Sequence, residues 1–274
     1  MLRWKKLWRR TNLIMTINES LQYGTTLIGQ RDAALLLCHV VGHNSAYILL
    51  HGDKPLQNPE QFLAYVNRRK QGEPLQYIIG QWDFMGRTLK TDSRALIPRP
   101  ETELLVEEAL RFCNDGFNVL DLCTGSGCIA VSIAAAGNYN VTASDISADA
   151  LCLARENGAG LCINFVQSDL FSNINGVFDI IVSNPPYISA HELDSLSPTV
   201  LNYEPHLALH GGDDGMDIYR LLIPESIKFL KPGGVLLLEI GPEAVCDIML
   251  SSGFKNVLLK KDYAGLPRIV FGTK

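Results

Sequence analysis

The residues best suited to chemistry form one short stretch, Asn184-Pro185-Pro186-Tyr187, directly after an apolar run over 178–182. Two adjacent prolines remove two backbone donors and fix two φ angles near about −65°. What remains is a rigid rim of acceptors: the Asn184 side-chain oxygen and the backbone carbonyls of Asn184 and Pro185. Such a rim suits a planar –NH2 group, which has two hydrogens to donate. The Tyr187 ring can cover the flat face of that group. Asn-Pro also opens ordinary turns, so taken alone the stretch reads equally as the end of a strand.

The residues upstream weigh toward chemistry. Val119-Leu120-Asp121-Leu122 reads as a strand running into Cys123-Thr124-Gly125-Ser126-Gly127-Cys128. Glycines at 125 and 127 let backbone amides approach a ligand at the N-terminus of the next helix, although a lone Gly-x-Gly is often only a tight turn. Asp145 ends the next strand-like run. An acid there, about 20 residues past the glycines, is placed to hold both hydroxyls of a ribose. Asp169 follows the third run and suits an adenine amino group, with Leu170 against the ring. Either aspartate could instead cap the helix that follows it. Together the loop and the two acids predict a nucleoside pocket at the carboxyl ends of the strands. Asn184 to Tyr187 end the fourth run, beside the same crevice.

These side chains need a sheet to hold them. Strand-like runs at 117–122, 141–145, 162–167, 178–182 and 234–240 alternate with helix-like runs at 127–136, 147–157, 216–230 and 242–252. That alternation predicts an α/β fold with a parallel sheet covered on both faces. Runs at 257–261 and 267–271 add two strands. Lys231-Pro232-Gly233-Gly234 reads as a sharp turn before the fifth strand. A helix begins at Pro100, with Glu101 and Glu103 in its first turn; Glu103, Glu107, Glu108 and Arg111 line one face. Residues 82–97 read as a β-hairpin linker around Gly86. Residues 16–80 read as helices: one over 31–41 stopped by Gly42, one capped by Asn44, and one from Pro59 broken at Gly72. The run Arg68-Arg69-Lys70 suits the C-terminus of that last helix.

Composition narrows the class. The 274 residues give room for one large domain and a small one. No apolar run reaches the roughly 18 residues of a membrane span. Seven scattered cysteines with no C-x-x-C pair argue against a disulfide framework or zinc site and for a reducing cytoplasm. A net charge of −5 provides no overall basic footprint for nucleic acid. The first fourteen residues carry Arg3, Lys5, Lys6, Arg9 and Arg10 and no acid, which leaves the remainder at about −10. That segment reads either as a dispensable tail before Met15 or as a basic amphipathic helix with Trp4, Leu7 and Trp8 on one face. No apolar h-region of a secretory signal follows it.

Taken together, these stretches resemble a class I S-adenosyl-L-methionine methyltransferase acting on an amino nitrogen. More narrowly, the chain resembles the protein glutamine N5-methyltransferases of the HemK/PrmC family, which modify peptide chain release factors. The resemblance runs from about Met15 to the end. Besides 119–130 and 184–188 it is carried by 76–86, 96–103, Tyr203-Glu204-Pro205, Gly211-Gly212-Asp213-Asp214-Gly215, 230–241 and 262–268. The Asn-Pro-Pro-Tyr motif is shared with adenine-N6 and guanine-N2 methyltransferases, whereas 97–103 and 203–215 are more specific to the glutamine group.

The resemblance implies a Rossmann-like, mostly parallel seven-stranded sheet with a small N-terminal helical domain and a β-hairpin linker. It divides the chain into a basic extension (1–14), a helical substrate-recognition domain (15–80), the hairpin linker (81–98) and the methyltransferase domain (99–274). It implies catalytic Asn184, Pro185 and Tyr187, with Pro186 joining them in substrate binding. S-adenosyl-L-methionine would be bound by Cys123, Thr124, Gly125, Ser126, Gly127, Asp145, Asp169, Leu170 and Asn184, with no metal. The implied substrate is the glutamine of a Gly-Gly-Gln loop in a release factor, methylated by a cytoplasmic monomer without stable nucleic-acid binding. A ribosomal-protein glutamine methyltransferase and a nucleic-acid amino methyltransferase stand as alternatives. Two positions depart from the family pattern: Cys123, where glycine is usual and a slightly wider loop floor is expected, and Arg94, where an apolar residue is usual.

Overall fold

The computed structural model describes residues 15–274; the amphipathic helix expected within the first fourteen lies outside the described residues. The chain divides between Ile79 and Gly80 into two compact units.

The first unit is helical: α1 (Ile17–Ile28), α2 (Gln30–Val41), α3 (Ser45–Leu50), α4 (Pro59–Lys70) and α5 (Leu75–Ile79). Its boundaries follow local chemistry. Thr16 and Glu19 form a reciprocal capping box at the start of α1. Gly42 ends α2 in the left-handed region, and the Asn44 side chain accepts from the Tyr47 N–H to open α3. Ala33, Leu36, Leu37, Phe62 and Val66 are fully buried. The basic end of α4 is not merely solvated: Arg69 pairs with Asp32 at 2.6 Å and Arg68 with Glu73 at 2.5 Å.

The second unit opens with a hairpin, β1 (Gln81–Phe84) and β2 (Arg87–Lys90), joined by Met85-Gly86 with both φ angles positive. That is the two-residue turn whose twist matches antiparallel strands. Phe84 and Leu89 belong to the main core of this unit. Next come α6 (Pro100–Phe112), β3 (Asn118–Leu122), α7 (Cys128–Ala136), β4 (Asn140–Asp145), α8 (Ala148–Asn157), β5 (Ile163–Gln167) and β6 (Phe178–Ser183). After two short helices, α9 (Ala190–Leu193) and α10 (Pro198–Tyr203), come α11 (Asp217–Phe229), β7 (Leu230–Glu239), α12 (Val245–Ser251), β8 (Lys255–Lys261) and β9 (Pro267–Thr273).

The seven-stranded sheet has the order β5-β4-β3-β6-β7-β9-β8. The pairs from β5 to β7 are parallel; β9 runs antiparallel between β7 and β8. Alternation along each strand splits the core in two. Val119, Ile180, Val182 and Leu237 pack with α6 and α7, while Leu120, Leu122, Ile181 and Leu238 pack with α11 and α12.

One local expectation changes. The expected turn at 231–234 is the bulged beginning of β7, with register shifting opposite Phe178 and Ile180 and Gly233 at φ 79°. Of the face lined by Glu103, Glu107, Glu108 and Arg111, Glu108 is the buried member, paired with Lys260 at 2.6 Å and Arg111 at 3.0 Å.

Candidate active site

Strand order reverses between β3 and β6, so loops leaving their carboxyl ends diverge and open a crevice. Its wall holds Cys123, Thr124, Gly125 and Ser126 from the loop after β3, Asp145 after β4, Asp169 and Leu170 after β5, and Asn184 and Pro186 after β6. Ile97, Pro98, Arg99 and Thr102 close another side, with Pro205 and Leu207 facing them. Nine of the residues singled out for cofactor and substrate thus share one cavity. Gly127, Pro185 and Tyr187 do not line it.

Gly127 works from behind. It caps α7 at φ 81°, and a Cβ there would lie 3.0 Å from Ala154 Cβ. Its missing side chain lets the start of α7 pack on α8. Gly125 has open space around it and needs only its φ of 55°. Cys123 adopts φ 58° and is half-buried on the cavity wall. A cysteine here carries backbone strain of about 1–2 kcal/mol. Leu170 is likewise held at φ 43°, with the Ser168 hydroxyl donating to its carbonyl at 2.7 Å. Two non-glycine residues in the left-handed region therefore sit on one cavity wall.

Asp145 Oδ2 accepts from the Gly125 N–H at 2.8 Å and Oδ1 from the Ser147 N–H at 2.9 Å. Ser147, not Asp145, caps α8. Burial raises the Asp145 carboxyl despite these donors. Each oxygen has a second lone-pair site for a ligand hydroxyl. Beneath the loop, Asp121 Oδ2 accepts from the Thr124 hydroxyl at 2.5 Å and the Ala130 N–H at 3.1 Å, while its buried Oδ1 has no partner. Burial pushes Asp121 up to about 7.

Asn184 leaves β6 with its Nδ2 donating to Thr102 Oγ1 at 3.2 Å. The Thr102 hydroxyl donates to Glu239 Oε2 at 2.7 Å. The Tyr187 ring packs on Gly241, and its hydroxyl reaches Glu239 Oε1 at 3.4 Å. Burial raises Tyr187 to about 12, so the hydroxyl is the donor. Burial also raises Glu239 to about 7, against the Thr102 hydroxyl and Arg268.

The loop carrying Asn184 to Tyr187 is clamped by the Gly211–Gly215 segment. Ile188 N–H donates to Leu209 O and Gly211 N–H to Ile188 O, both at 2.9 Å. A Cβ on Gly211 would fall 2.7 Å from Tyr187 Cα. Buried Glu204 accepts from the Ile97 N–H at 3.2 Å and pairs with Arg99 at 2.5 Å, fixing the opposite wall. Arg94, expected as a tolerated substitution, is tied to Asp92 and Glu156, each at 2.7 Å. Its Glu156 partner is drawn down to about 2. Thr102, Glu239 and Glu204 lie in stretches that carry the resemblance but received no role there, although an acid closing Leu236-Leu237-Leu238 is a buried charge that such a strand signals.

Among the described residues no group of His, Cys, Asp and Glu is arranged to hold a metal ion, and no helix is long and apolar enough to cross a membrane.

A sheet of this order with a crevice at its switch point is the fold of class I S-adenosyl-L-methionine-dependent methyltransferases. A methyltransferase from Pyrococcus furiosus shares it at TM-score 0.53, with 21% identity, over 68% of this chain and 88% of its own. The T. thermophilus 16S rRNA N2 G1207 methyltransferase, solved with AdoMet and guanosine, does so at 0.52, with 20% identity, over 71% and 49%. The family model of the PrmC N-terminal domain matches residues 26–80, and that of the methyltransferase small domain matches 100–202. The release factor glutamine methyltransferase of Geobacter sulfurreducens is 40% identical, covering 86% of this chain and 87% of its own length. That of Deinococcus radiodurans is 42% identical, covering 77% and 78%. The chain belongs to the release factor glutamine methyltransferase family.

Proposed function

We propose that the protein methylates the side-chain amide nitrogen, N5, of the glutamine in the Gly-Gly-Gln loop of a peptide chain release factor. Family membership supports the substrate. The observation that carries the site is Asn184, a cavity-lining residue whose Nδ2 donates to Thr102, an orientation that favours Oδ1 as the atom offered to a substrate donor.

The cavity fits S-adenosyl-L-methionine: a half-buried aspartate with spare acceptor sites at Asp145, a glycine-containing loop at 123–126, and Asp169 beside Leu170 for a purine. Bound there, the cofactor supplies an electrophilic methyl group. The protein supplies aim. An amide nitrogen is a poor nucleophile because its lone pair is shared with the carbonyl. Asn184 Oδ1 and the Pro185 carbonyl would accept the two amide hydrogens, orient the nitrogen, and stabilise the positive charge that grows on it. Orientation of a bound pair contributes roughly 7–11 kcal/mol. Pro186 shapes the cavity rim, and Tyr187, anchored through its hydroxyl, gives the amide an aromatic neighbour. No dedicated base is required, since a methylated amide nitrogen is acidic enough to release its proton to water.

The helical unit is read as the part that recognises the body of the release factor. The chain is read as a cytoplasmic monomer that forms no stable complex with nucleic acid. The test is incubation of purified protein with methyl-labelled cofactor and, in parallel, release factor, ribosomal protein and nucleic acid. Label in the release factor alone supports the reading; label in ribosomal protein or nucleic acid replaces it with one of the two alternatives.

A further inference from the structure

The stretches 230–241 and 262–268 carry family resemblance yet contribute no residue to the proposed reaction. They deliver Glu239 and Arg268 to the back of Asn184. We propose that Glu239 is a positioning residue that, through the hydroxyl of Thr102, fixes which end of the Asn184 amide faces the substrate. The proposal rests on the reading of Asn184 as the substrate acceptor.

The hydrogen inventory leads there. Thr102 has one hydroxyl proton. With Glu239 ionised, that proton goes to Oε2 at 2.7 Å. Thr102 Oγ1 can then only accept, and it accepts from Asn184 Nδ2 at 3.2 Å. The amide is thereby oriented with Oδ1 toward the cavity. The three residues come from α6, the loop after β6 and the end of β7, so only the folded sheet assembles them. The end of β7 is itself pinned, because the Tyr219 hydroxyl donates to the Glu239 carbonyl at 2.7 Å.

With Glu239 protonated, the carboxyl can donate to Thr102. The threonine proton is then released toward Asn184, whose favoured partner atom becomes Oδ1. Nδ2 would turn to the cavity and meet a substrate that also donates. The groups facing Glu239 are Thr102 and Glu101 of α6, Tyr187 after β6, Tyr219 of α11 and Arg268 of β9, itself paired with Asp262 at 3.2 Å. Arg268 favours the ionised form; burial and Glu101 oppose it, and the balance lies near 7.

The test compares Thr102→Val, Thr102→Ser, Glu239→Gln and Asn184→Ala, with cofactor affinity from calorimetry and the pH dependence of turnover from pH 5.5 to 9. Thr102→Val should lower kcat on the order of 10²-fold, the scale of a misplaced reacting group, with cofactor affinity within about twofold. Thr102→Ser should recover most of that loss. Wild-type turnover should fall as pH drops through about 7, and Glu239→Gln should lack that fall. Adding Thr102→Val to Asn184→Ala should cost little more than Asn184→Ala alone, because residues acting through one another are not additive. Wild-type kcat in Thr102→Val, full additivity in the double variant, or an unchanged acid fall in Glu239→Gln overturns the proposal. If Asn184→Ala itself turns over normally, the underlying reading of Asn184 fails; if only Asn184→Ala is slow, the relay alone fails.

Discussion

At the scale of single residues, the site is a division of hydrogen-bonding labour. Asn184 donates inward from Nδ2 to Thr102, and its Oδ1 is the proposed acceptor for the substrate. Replacing Asn184 by alanine should reduce turnover by several hundred-fold, on the order of losing one oriented polar group, while cofactor affinity changes far less; turnover and calorimetry together check this. Asp145 has a different duty. It accepts from the backbone of its own loop and of Ser147, and its remaining lone pairs are the proposed ribose site. Asp145→Ala should therefore weaken cofactor binding first. An equilibrium titration at full affinity would remove the ribose assignment. Cys123 carries a property that its residue type does not announce. A side-chain pattern registers its size, whereas the structure reveals its φ of 58°.

At the scale of elements, the Asn184–Tyr187 loop owes its shape to a segment that touches no proposed substrate. Gly211 lies so close to Tyr187 that even a methyl group would overlap its Cα. Gly211→Ala should therefore destabilise the fold by about 1–3 kcal/mol, as overpacking does. It should also slow turnover by shifting Asn184; thermal unfolding and a single-turnover rate measure the two effects. This contact explains why the stretch 211–215 could be recognised in the sequence but not given a role. Its partner lies about two dozen positions upstream and meets it only in three dimensions. The elements themselves were largely legible, because the apolar runs of β3 and β6, the cap at Asn44 and the helix start at Pro100 are local signals. The gathering of residues 123–126 and Asp145 at one cavity was legible too, because each follows a strand end. Thr102 and Glu239 were not, since they are 137 positions apart and neither has a meaningful neighbour in sequence. The burial of Glu108 was hidden for the same reason: helical spacing places it with other acids, but its partner Lys260 lies on a distant strand.

At the scale of the whole molecule, buried acids set how stability responds to pH. Glu239 and Asp121 both have folded-state values near 7, raised by burial. An acid whose folded value is raised contributes its stability fully below its unfolded value, around 4, and loses it as pH rises through the folded value. Thermal stability should decline between about pH 4 and 7, and Glu239→Gln should lessen that decline; parallel curves for variant and wild type would contradict it. The same carboxylate then costs stability in the pH range where the proposed relay needs it ionised, a trade-off expected at functional sites. The helical unit and the sheet unit divide the proposed task into recognition and transfer, and a release factor engages both in this account. The most direct measurement is transfer of labelled methyl to an intact release factor and to the same factor with its Gly-Gly-Gln glutamine changed to alanine. The account predicts incorporation at that glutamine alone, abolished by the change and nearly abolished in Asn184→Ala. Equal labelling of the glutamine-free factor, or undiminished labelling by Asn184→Ala, would contradict it.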